Sequence, residues 1–273
     1  MKLDFSVITS PYRFDINESG CYATNHAGHK DHSESLFSNY DPMWKLFDDM
    51  HKTTPNLFID CTFETMGGLQ LIDYSILKHA EGNWLSNFSE PDQKGDLRVR
   101  NMAWWRSPAI PATALVIGNP KMDDKGWQMH IKSLAGALPI MLGDPRKLSG
   151  TDLKTYRTYA DWLQLMAKKH DIMTYRQNLK GFGEPTEGMW DGFQRMNTET
   201  KSGGTIGIFR NGATEKKRTV CVNYLDPVKT YSVKNINGKE IARKTGEALK
   251  STGIEVTITE VYGGELFKIS STN

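Results

Sequence analysis

The chain has 273 residues, and its 34 lysines and arginines nearly balance its 32 aspartates and glutamates, for a formal net charge of +2. The basic residues are scattered rather than clustered, so we expect no nucleic-acid partner. No apolar run approaches the roughly 20 residues of a transmembrane helix, so we expect no membrane span. Three cysteines without metal-type spacing predict neither a disulfide framework nor a zinc knuckle: Cys21, Cys61 and Cys221.

Short apolar runs alternate with amphipathic stretches through residues 1–180. The runs that have the length and composition of strands are 3–8, 56–61, 83–86 and 137–142. The stretches that have helical spacing are 42–52, 69–80, 96–105 and 152–169. Asp96 stands where the third of these helices would have its N-cap. Strands that alternate with helices predict βα units and a parallel sheet, so this region is α/β.

The pattern changes in the last third of the chain. Five short runs from Thr205 onward are typical of antiparallel strands, and the pairs Asn211-Gly212 and Asn237-Gly238 are turn signals between them. We therefore predict a β-sandwich over 205–273. The segment 181–204 is rich in glycine and polar residues and is interpreted as a packed connector.

The first strand places a cation and a carboxylate on one face. Lys2 and Asp4 are two residues apart, so both side chains point to the same side of the strand. In a (β/α)₈ barrel the carboxyl ends of the strands line the active site, and a neighbouring ammonium keeps a carboxylate ionised, as a nucleophile requires. The alternative is a solvated ion pair on an exposed edge strand.

Two further loops follow predicted strands and carry polar side chains. The first contains Cys61, Glu64 and Gly67, where glycine lets backbone approach a ligand closely, although an ordinary βα turn would look the same. The second begins at Trp84 and crowds carboxylates before a helix, among them Glu90 and Asp92. Both loops are therefore candidate parts of one site.

Four motifs occur in an order that resembles a known family. They are Lys2-Leu3-Asp4, Cys61 with Gly67 and Gly68, Trp84-Leu85-Ser86, and residues 137–149. In this order and spacing the chain resembles the melibiase-type α-galactosidases of glycoside hydrolase families 36 and 27. The resemblance implies retaining hydrolysis of a terminal α-linked galactoside or a similar sugar, with no cofactor and no metal. It also implies that residues 137–149 hold the last barrel strand and its loop.

The resemblance assigns roles to individual residues. Asp4 would be the nucleophile, and the side chains or backbone that contact the carbohydrate would be Lys2, Cys61, Glu64, Gly67, Trp84 and Asn87. Asn87 stands where the family has its acid/base aspartate, and an amide cannot donate and recover a proton. Counting back from the predicted helix cap, we assign the acid/base role to Asp92, with Glu90 as the second candidate.

The same resemblance predicts an incomplete barrel. In the family the K-x-D strand is the fourth of the barrel, whereas here it begins the chain, so about three βα units are expected to be missing. The expected fold is the C-terminal part of a (β/α)₈ barrel over 1–180 followed by the sandwich. A longer protein or a second copy in a homo-oligomer would complete the barrel, and the compartment stays open. The alternative function is a non-catalytic carbohydrate-binding or interaction module, or an inactive fragment.

A histidine-rich segment is a second candidate for a functional site. His26, His29, Asp31 and His32 could bind a divalent metal, but they occupy a long loop with no helix to fix their geometry. A solvated or sugar-contacting loop is the default interpretation. Cys61 has no histidine at an obvious partnering position, so it is interpreted as a buried wall rather than a thiol nucleophile.

Overall fold

The computed structural model describes residues 1–3, 20–38, 40–62, 77–84, 93–117 and 121–272. The chain divides into two compact units, Met1–Ser86 and Asn87–Asn273. In the described ranges, no helix has the length and apolar character needed to cross a membrane.

The described residues of the first unit form short parallel strands and two helices. The strands are β1 (Lys2–Leu3), β2 (Asp60–Thr62) and β3 (Gly82–Trp84), and the helices are α1 (His32–Ser38) and α2 (Tyr40–Thr53). Strand β2 lies between β1 and β3, and both pairings are parallel. The sequence prediction of parallel strands joined by helical connections is thus confirmed here, while the predicted helix at 69–80 lies largely outside the described residues.

Helix α2 forms because its apolar residues recur on one face. Met43, Phe47 and Met50 are spaced four and three apart, which is the spacing of neighbours on a helix surface. Phe47 is fully buried and packs in a cluster with Ile59 and Cys61, the residues at the start of β2. The helix predicted at 42–52 is confirmed.

The second unit has four helices and nine strands among its described residues. The helices are α3 (Gln93–Arg106), α4 (Trp127–Leu134), α5 (Gly150–His170) and α6 (Gly246–Ser251). The strands are β4 (Leu115–Val116), β5 (Gln177–Asn178), β6 (Trp190–Met196), β7 (Gly203–Asn211), β8 (Lys217–Val220), β9 (Thr230–Asn235), β10 (Glu240–Thr245), β11 (Ile254–Thr257) and β12 (Tyr262–Ser271).

Helix α3 corrects one expectation. It begins at Gln93, so Asp96 lies inside its first turn instead of capping it. Asp96 is 3% exposed, and its carboxylate lies 2.7 Å from Nδ1 of His130 on α4. The N-cap interpretation was wrong because the carboxylate serves a tertiary contact 34 residues away, which local spacing does not reveal. The count that selected Asp92 started from this cap, so the acid/base assignment of Asp92 stays a prediction based on the resemblance alone.

Residues 137–142 were expected to form a strand. The structure shows isolated parallel bridges there, between Val116 and Leu138 and between Lys121 and Leu142. The parallel direction of the bridges agrees with the expectation, but the pairing does not make a continuous strand, and the Ile140 N–H donates to the carbonyl of Leu138 within the run. Pro139 lies between the two bridges and has no N–H to donate.

A six-stranded antiparallel sheet dominates the second unit, in the order β10-β9-β12-β7-β6-β5. Strands β6 and β7 lie inside it and are buried along their whole lengths. One face packs against α4 and α5 through Phe193, Phe209 and Leu266. The other face packs against the two-stranded β8-β11 ribbon. Antiparallel sheets in the C-terminal region are thus confirmed.

Strand β6 lies within the segment that was interpreted as a connector. Its residues include Asp191, Gln194 and Arg195, all of them buried. Buried polar side chains remove the apolar alternation that identifies a strand in a sequence, so the strand was missed. The two predicted turns are present, since Gly212 and Gly238 both have a φ of 82°.

Candidate active site

The candidate site residues of the first unit follow from the register of its parallel strands. Leu3 is the Cα partner of Cys61, and Cys61 is the partner of Asn83. Lys2 is the partner of Asp60. Parallel strands end at the same edge of a sheet, so the carboxyl ends of β1, β2 and β3 lie at one edge. This is the edge where barrel enzymes place their chemistry.

The predicted site residues divide into two groups. Lys2 lies in β1, Cys61 lies in β2, and Trp84 is the last residue of β3. The others lie outside the described residues, and their roles stay predictions: Asp4, Glu64, Gly67, Asn87, Glu90 and Asp92. Each of these six residues follows one of the three strands in the sequence.

Cys61 is fully buried, which confirms its interpretation as a buried residue. It belongs to the apolar cluster with Phe47, Ile59 and Ala80, beside helix α2. Because Ile59 and Cys61 are two residues apart, both face the helix. Any role of Cys61 toward a ligand would therefore be to fix the backbone of β2.

Asp60 is a buried carboxylate that the sequence reading did not select. It is 6% exposed and is the register partner of Lys2. Successive side chains of a strand point to opposite faces of the sheet, so Asp60 points to the face opposite to Cys61. A sequence signal for its burial exists, because Asp60 interrupts the apolar run at 56–61 and a carboxylate is costly to bury without a partner.

The opposite edge of the sheet is held by backbone and ion-pair contacts. The N–H groups of Glu81 and Gly82 both donate to the carbonyl of Ile59, at 3.1 and 3.0 Å. The Glu81 carboxylate accepts from the Ile59 N–H at 2.8 Å and lies 2.9 Å from Nε2 of His51. These contacts fix the entry into β2 and β3, so the start of both strands is well anchored.

The second unit contains a buried polar network with a structural role. The Arg100 guanidinium donates to both carboxylate oxygens of Asp191, at 3.0 and 3.1 Å, and to Ser133 and Asn211. It also lies 4.1 Å from the ring centre of Phe209. Every polar group has a partner and the network is closed to solvent, so it joins α3 and α4 to the sheet and does not form a binding site.

Burial also lowers the pKa of two arginines in the second unit. Burial lowers the pKa of Arg176 to about 10. Burial, assisted by the charge of Arg176, lowers the pKa of Arg195 to about 9. Arg195 donates to four backbone carbonyls, at 2.6 to 2.8 Å. It therefore ties the loops around β6 together and is not available to a substrate.

One group of described residues combines the side chains that bind transition metals. It consists of Cys21, His26 and His29 in the segment before α1. The sequence reading considered the histidines but did not connect them with Cys21.

Comparison with known proteins identifies structures that share the fold of this chain. No protein-family model and no curated protein matches the chain. Among solved structures, the family 36 α-galactosidase AgaB from Geobacillus stearothermophilus matches 93% of this chain with a TM-score of 0.73 and 13% identity, over 34% of its own length. The galactosidase domain of the α-galactosidase-sucrose kinase AgaSK matches 88% with a TM-score of 0.68 and 14% identity, over 32% of its length.

A third neighbour agrees with these two. The α-galactosidase from Lactobacillus brevis matches 89% of this chain with a TM-score of 0.67 and 13% identity, over 33% of its own length. The chain therefore resembles a C-terminal part of the family 36 α-galactosidases and spans about a third of the length of the enzymes that it matches. This confirms the resemblance expected from the motifs, at the level of the fold.

Proposed function

We propose that the chain is part of a retaining glycoside hydrolase that acts on terminal α-linked galactosides or similar sugars. The observation that carries the proposal is the register of β1, β2 and β3. The carboxyl ends of these three adjacent parallel strands lie at the same edge of the sheet. The motif-bearing segments that begin at Asp4, Phe63 and Leu85 follow them directly in the sequence. The likeness to family 36 α-galactosidases supports it independently.

In the proposed reaction Asp4 is the nucleophile. Its carboxylate attacks the anomeric carbon and forms a covalent glycosyl-enzyme while the glycosidic C–O bond breaks. Asp92, or Glu90 in the second assignment, gives its proton to the departing oxygen and then takes a proton from the water that releases the sugar. Lys2, two residues before Asp4, keeps the nucleophile ionised.

The proposal includes the architecture that such a reaction needs. Residues 1–180 would form the C-terminal part of a (β/α)₈ barrel, with 181–204 as the connection and 205–273 as the sandwich domain. The carbohydrate would be contacted by Glu64, Gly67, Trp84 and Asn87. Cys61 would stabilise β2 from the face that packs against α2. The barrel would be completed by further chain or by a second copy.

The nucleophile assignment is tested by Asp4→Asn in the active protein, with a nitrophenyl α-galactoside as substrate. We expect kcat to fall by at least about 1000-fold with folding intact, because the amide keeps the shape but cannot attack. Asp49→Asn is the matched control, since Asp49 is exposed on α2 and forms a surface ion pair with Lys52. Activity of Asp4→Asn within tenfold of the unmodified protein would remove Asp4 from the mechanism.

The acid/base assignment is tested by the leaving group. Asp92→Ala should slow the hydrolysis of natural galactosides far more than that of substrates with an acidic phenol, which leave with little protonation. Glu90→Gln, measured beside it, should show no such difference. The reverse result would move the role to Glu90.

A non-catalytic carbohydrate-binding module is the second candidate. Asn87 favours it, because an amide occupies the position where the resemblance expects a carboxylic acid. This candidate predicts that galactosides bind to the complete protein with no turnover of any nitrophenyl α- or β-glycoside. Turnover that Asp4→Asn abolishes would exclude it.

A further inference from the structure

We propose that Cys21, His26 and His29 form a zinc site, which is independent of the proposed hydrolase activity. One potential ligand atom of each residue lies within 4.8 Å of the corresponding atoms of the other two. One thiolate and two imidazoles form a donor set typical of zinc, which takes Cys sulfur at about 2.3 Å and His nitrogen at about 2.0 to 2.1 Å.

The pair Cys21 and His26 already has the separation of two ligands on one ion. The Cys21 sulfur lies 3.3 Å from Nε2 of His26. Two ligands on a tetrahedral zinc at the usual bond lengths are about 3.3 to 3.6 Å apart. The third ligand needs a shift on the order of 1 Å, which an exposed loop allows.

His29 supplies the observation that points to a ligand. Among the described residues, neither of its ring nitrogens has a hydrogen-bond partner, although both are shielded from solvent. A buried imidazole without partners is unfavourable, because its nitrogens have lost water and gained nothing. Its ring meets the ring of His26 at 80°, with 4.5 Å between the centres. A metal ion between the two rings would satisfy one nitrogen of each.

The backbone holds Cys21 in place for this role. The N–H of Cys21 donates to Oγ of Ser35 at 2.8 Å, and that hydroxyl donates to the carbonyl of His32 at 2.6 Å. Gly20 has a φ of 99°, and a side chain there would collide with the same carbonyl. The backbone at Cys21 is thus held against α1 before any metal binds, while the loop that carries His29 can shift.

Among the described residues, the neighbouring polar side chains are engaged in other contacts. The Asp31 carboxylate accepts from the N–H of Glu34 at 2.8 Å, so it caps α1. The ring of His32 stacks on Tyr22 with 4.7 Å between the centres. Three protein ligands and one water would complete the tetrahedron.

Metal binding would remove one proton, from Cys21, and move another between the two ring nitrogens of His26. The Cys21 thiol releases its proton to solvent when the sulfur coordinates the ion. Nδ1 of His26 accepts a long hydrogen bond of 3.3 Å from the N–H of Gly28. Coordination through Nε2 moves the ring proton to Nδ1, so this weak hydrogen bond is exchanged for the metal bond.

The test uses Co²⁺ as a spectroscopic probe in the full chain after treatment with a chelator. We expect one equivalent of Co²⁺ to give the near-ultraviolet band of a cobalt–thiolate bond, and Zn²⁺ to displace it. Cys21→Ser should abolish the band, and His29→Gln should weaken the affinity at least about tenfold. Cys221→Ser is the matched control, because Cys221 is also a partly exposed free cysteine, and it should keep the band.

A second readout needs no variant. Zn²⁺ should slow the alkylation of Cys21 by iodoacetamide at least about tenfold and leave that of Cys221 unchanged, because a coordinated thiolate is a poor nucleophile. A folded chain that shows no cobalt–thiolate band, or a band that survives Cys21→Ser, would overturn the proposal. Equal alkylation of both cysteines with and without Zn²⁺ would overturn it as well.

Discussion

Arg100 and Asp191 form an ion pair in which each side chain is only 2% exposed. Burying both charges is unfavourable in itself, so the network is expected to contribute most through specificity of packing. Removing one charge is a different matter, because the other then stays buried without compensation. Arg100 joins α3 to α4 through Ser133 and to the sheet through Asp191 and Asn211, so loss of the ion pair weakens all of these contacts.

We therefore expect Asp191→Asn to destabilise the protein by about 3 to 5 kcal/mol. The amide keeps the size of the side chain but leaves the Arg100 guanidinium unneutralised. Glu255→Gln serves as the control, since its ion pair with Lys217 is more than half exposed and is worth less than about 1 kcal/mol. Urea denaturation of both variants measures the difference, and similar midpoints would contradict a structural role for the network.

His170 gives the protein a defined dependence on pH. It is 0% exposed, with Nδ1 2.8 Å from the Ser202 hydroxyl and Nε2 3.0 Å from the Ser270 hydroxyl. Burial, with the charges of Lys169 and Lys268, lowers its pKa from 6.5 to about 4. The unfolded chain therefore takes up a proton near pH 6.5, whereas the folded chain takes it up only near pH 4.

Stability should consequently fall as the pH drops from about 6.5 to about 4, by up to about 1.4 kcal/mol per pH unit from this group. Above pH 6.5 the contribution is fully present. His170→Gln keeps a hydrogen-bonding side chain but has no proton to take up, so its stability should depend less on pH in this window. Thermal unfolding of both proteins from pH 4 to 8 measures the difference, and parallel curves would show that His170 does not titrate as expected.

Strands β9 and β12 place two lysines directly opposite each other. Lys234 and Lys268 are register partners, and opposed like charges destabilise a sheet. Burial, followed by the charges of Lys169 and Lys234, lowers the pKa of Lys268. Within the described residues, none of these three lysines has a carboxylate within 4.0 Å.

Lys268→Glu should therefore stabilise the sheet, by up to about 1 kcal/mol at low salt and less as salt screens the charges. Lys239→Glu, in the exposed turn between β9 and β10, is the matched control and should change the free energy of unfolding little. Denaturation is measured at about 20 and about 500 mM NaCl, where the Debye length is about 20 Å and about 4 Å. Comparing the two salt concentrations separates the electrostatic effect of the substitution from any effect on packing. If both variants changed the free energy of unfolding equally, repulsion between Lys234 and Lys268 would not destabilise the sheet.

The elements that could be predicted are those whose signal is local. Helix α5 shows this, since Ser149 caps it by accepting from the Asp152 N–H and its apolar residues repeat at helical spacing. Strand β6 was missed because Asp191 and Arg195 are buried with partners about 60 to 90 residues away. The same limit applied to Cys21, whose proximity to His29 depends on how the loop closes.

The site was predictable to the extent that it depends on strand order. The motif at Lys2, the one at Cys61 and the one at Trp84 come from adjacent parallel strands, as the α/β pattern predicted. The run at 56–61 could indicate that Asp60 is buried, but its pairing with Lys2 could not be predicted, because it depends on the register between strands, which apolar periodicity alone does not fix.

The two units differ in how much core supports them. The described strands of the first unit have two or three residues, and the apolar cluster that its described residues form centres on four fully or nearly fully buried residues: Phe47, Ile59, Cys61 and Ala80. The second unit has a six-stranded sheet with an extended apolar core on each face. Local opening requires less free energy where fewer buried contacts must be broken.

Hydrogen exchange followed by mass spectrometry should therefore find the slowest amides in β7 and β12, and much faster exchange in β2 and β3. Phe47→Ala removes the centre of the smaller cluster, at a cost of about 3 to 5 kcal/mol, and should accelerate exchange in β2 further. Leu46→Ala is the control on the same helix, because Leu46 is 54% exposed. If β2 exchanged as slowly as β7, or if Phe47→Ala left its exchange unchanged, the first unit would be stabilised by contacts other than its small apolar cluster.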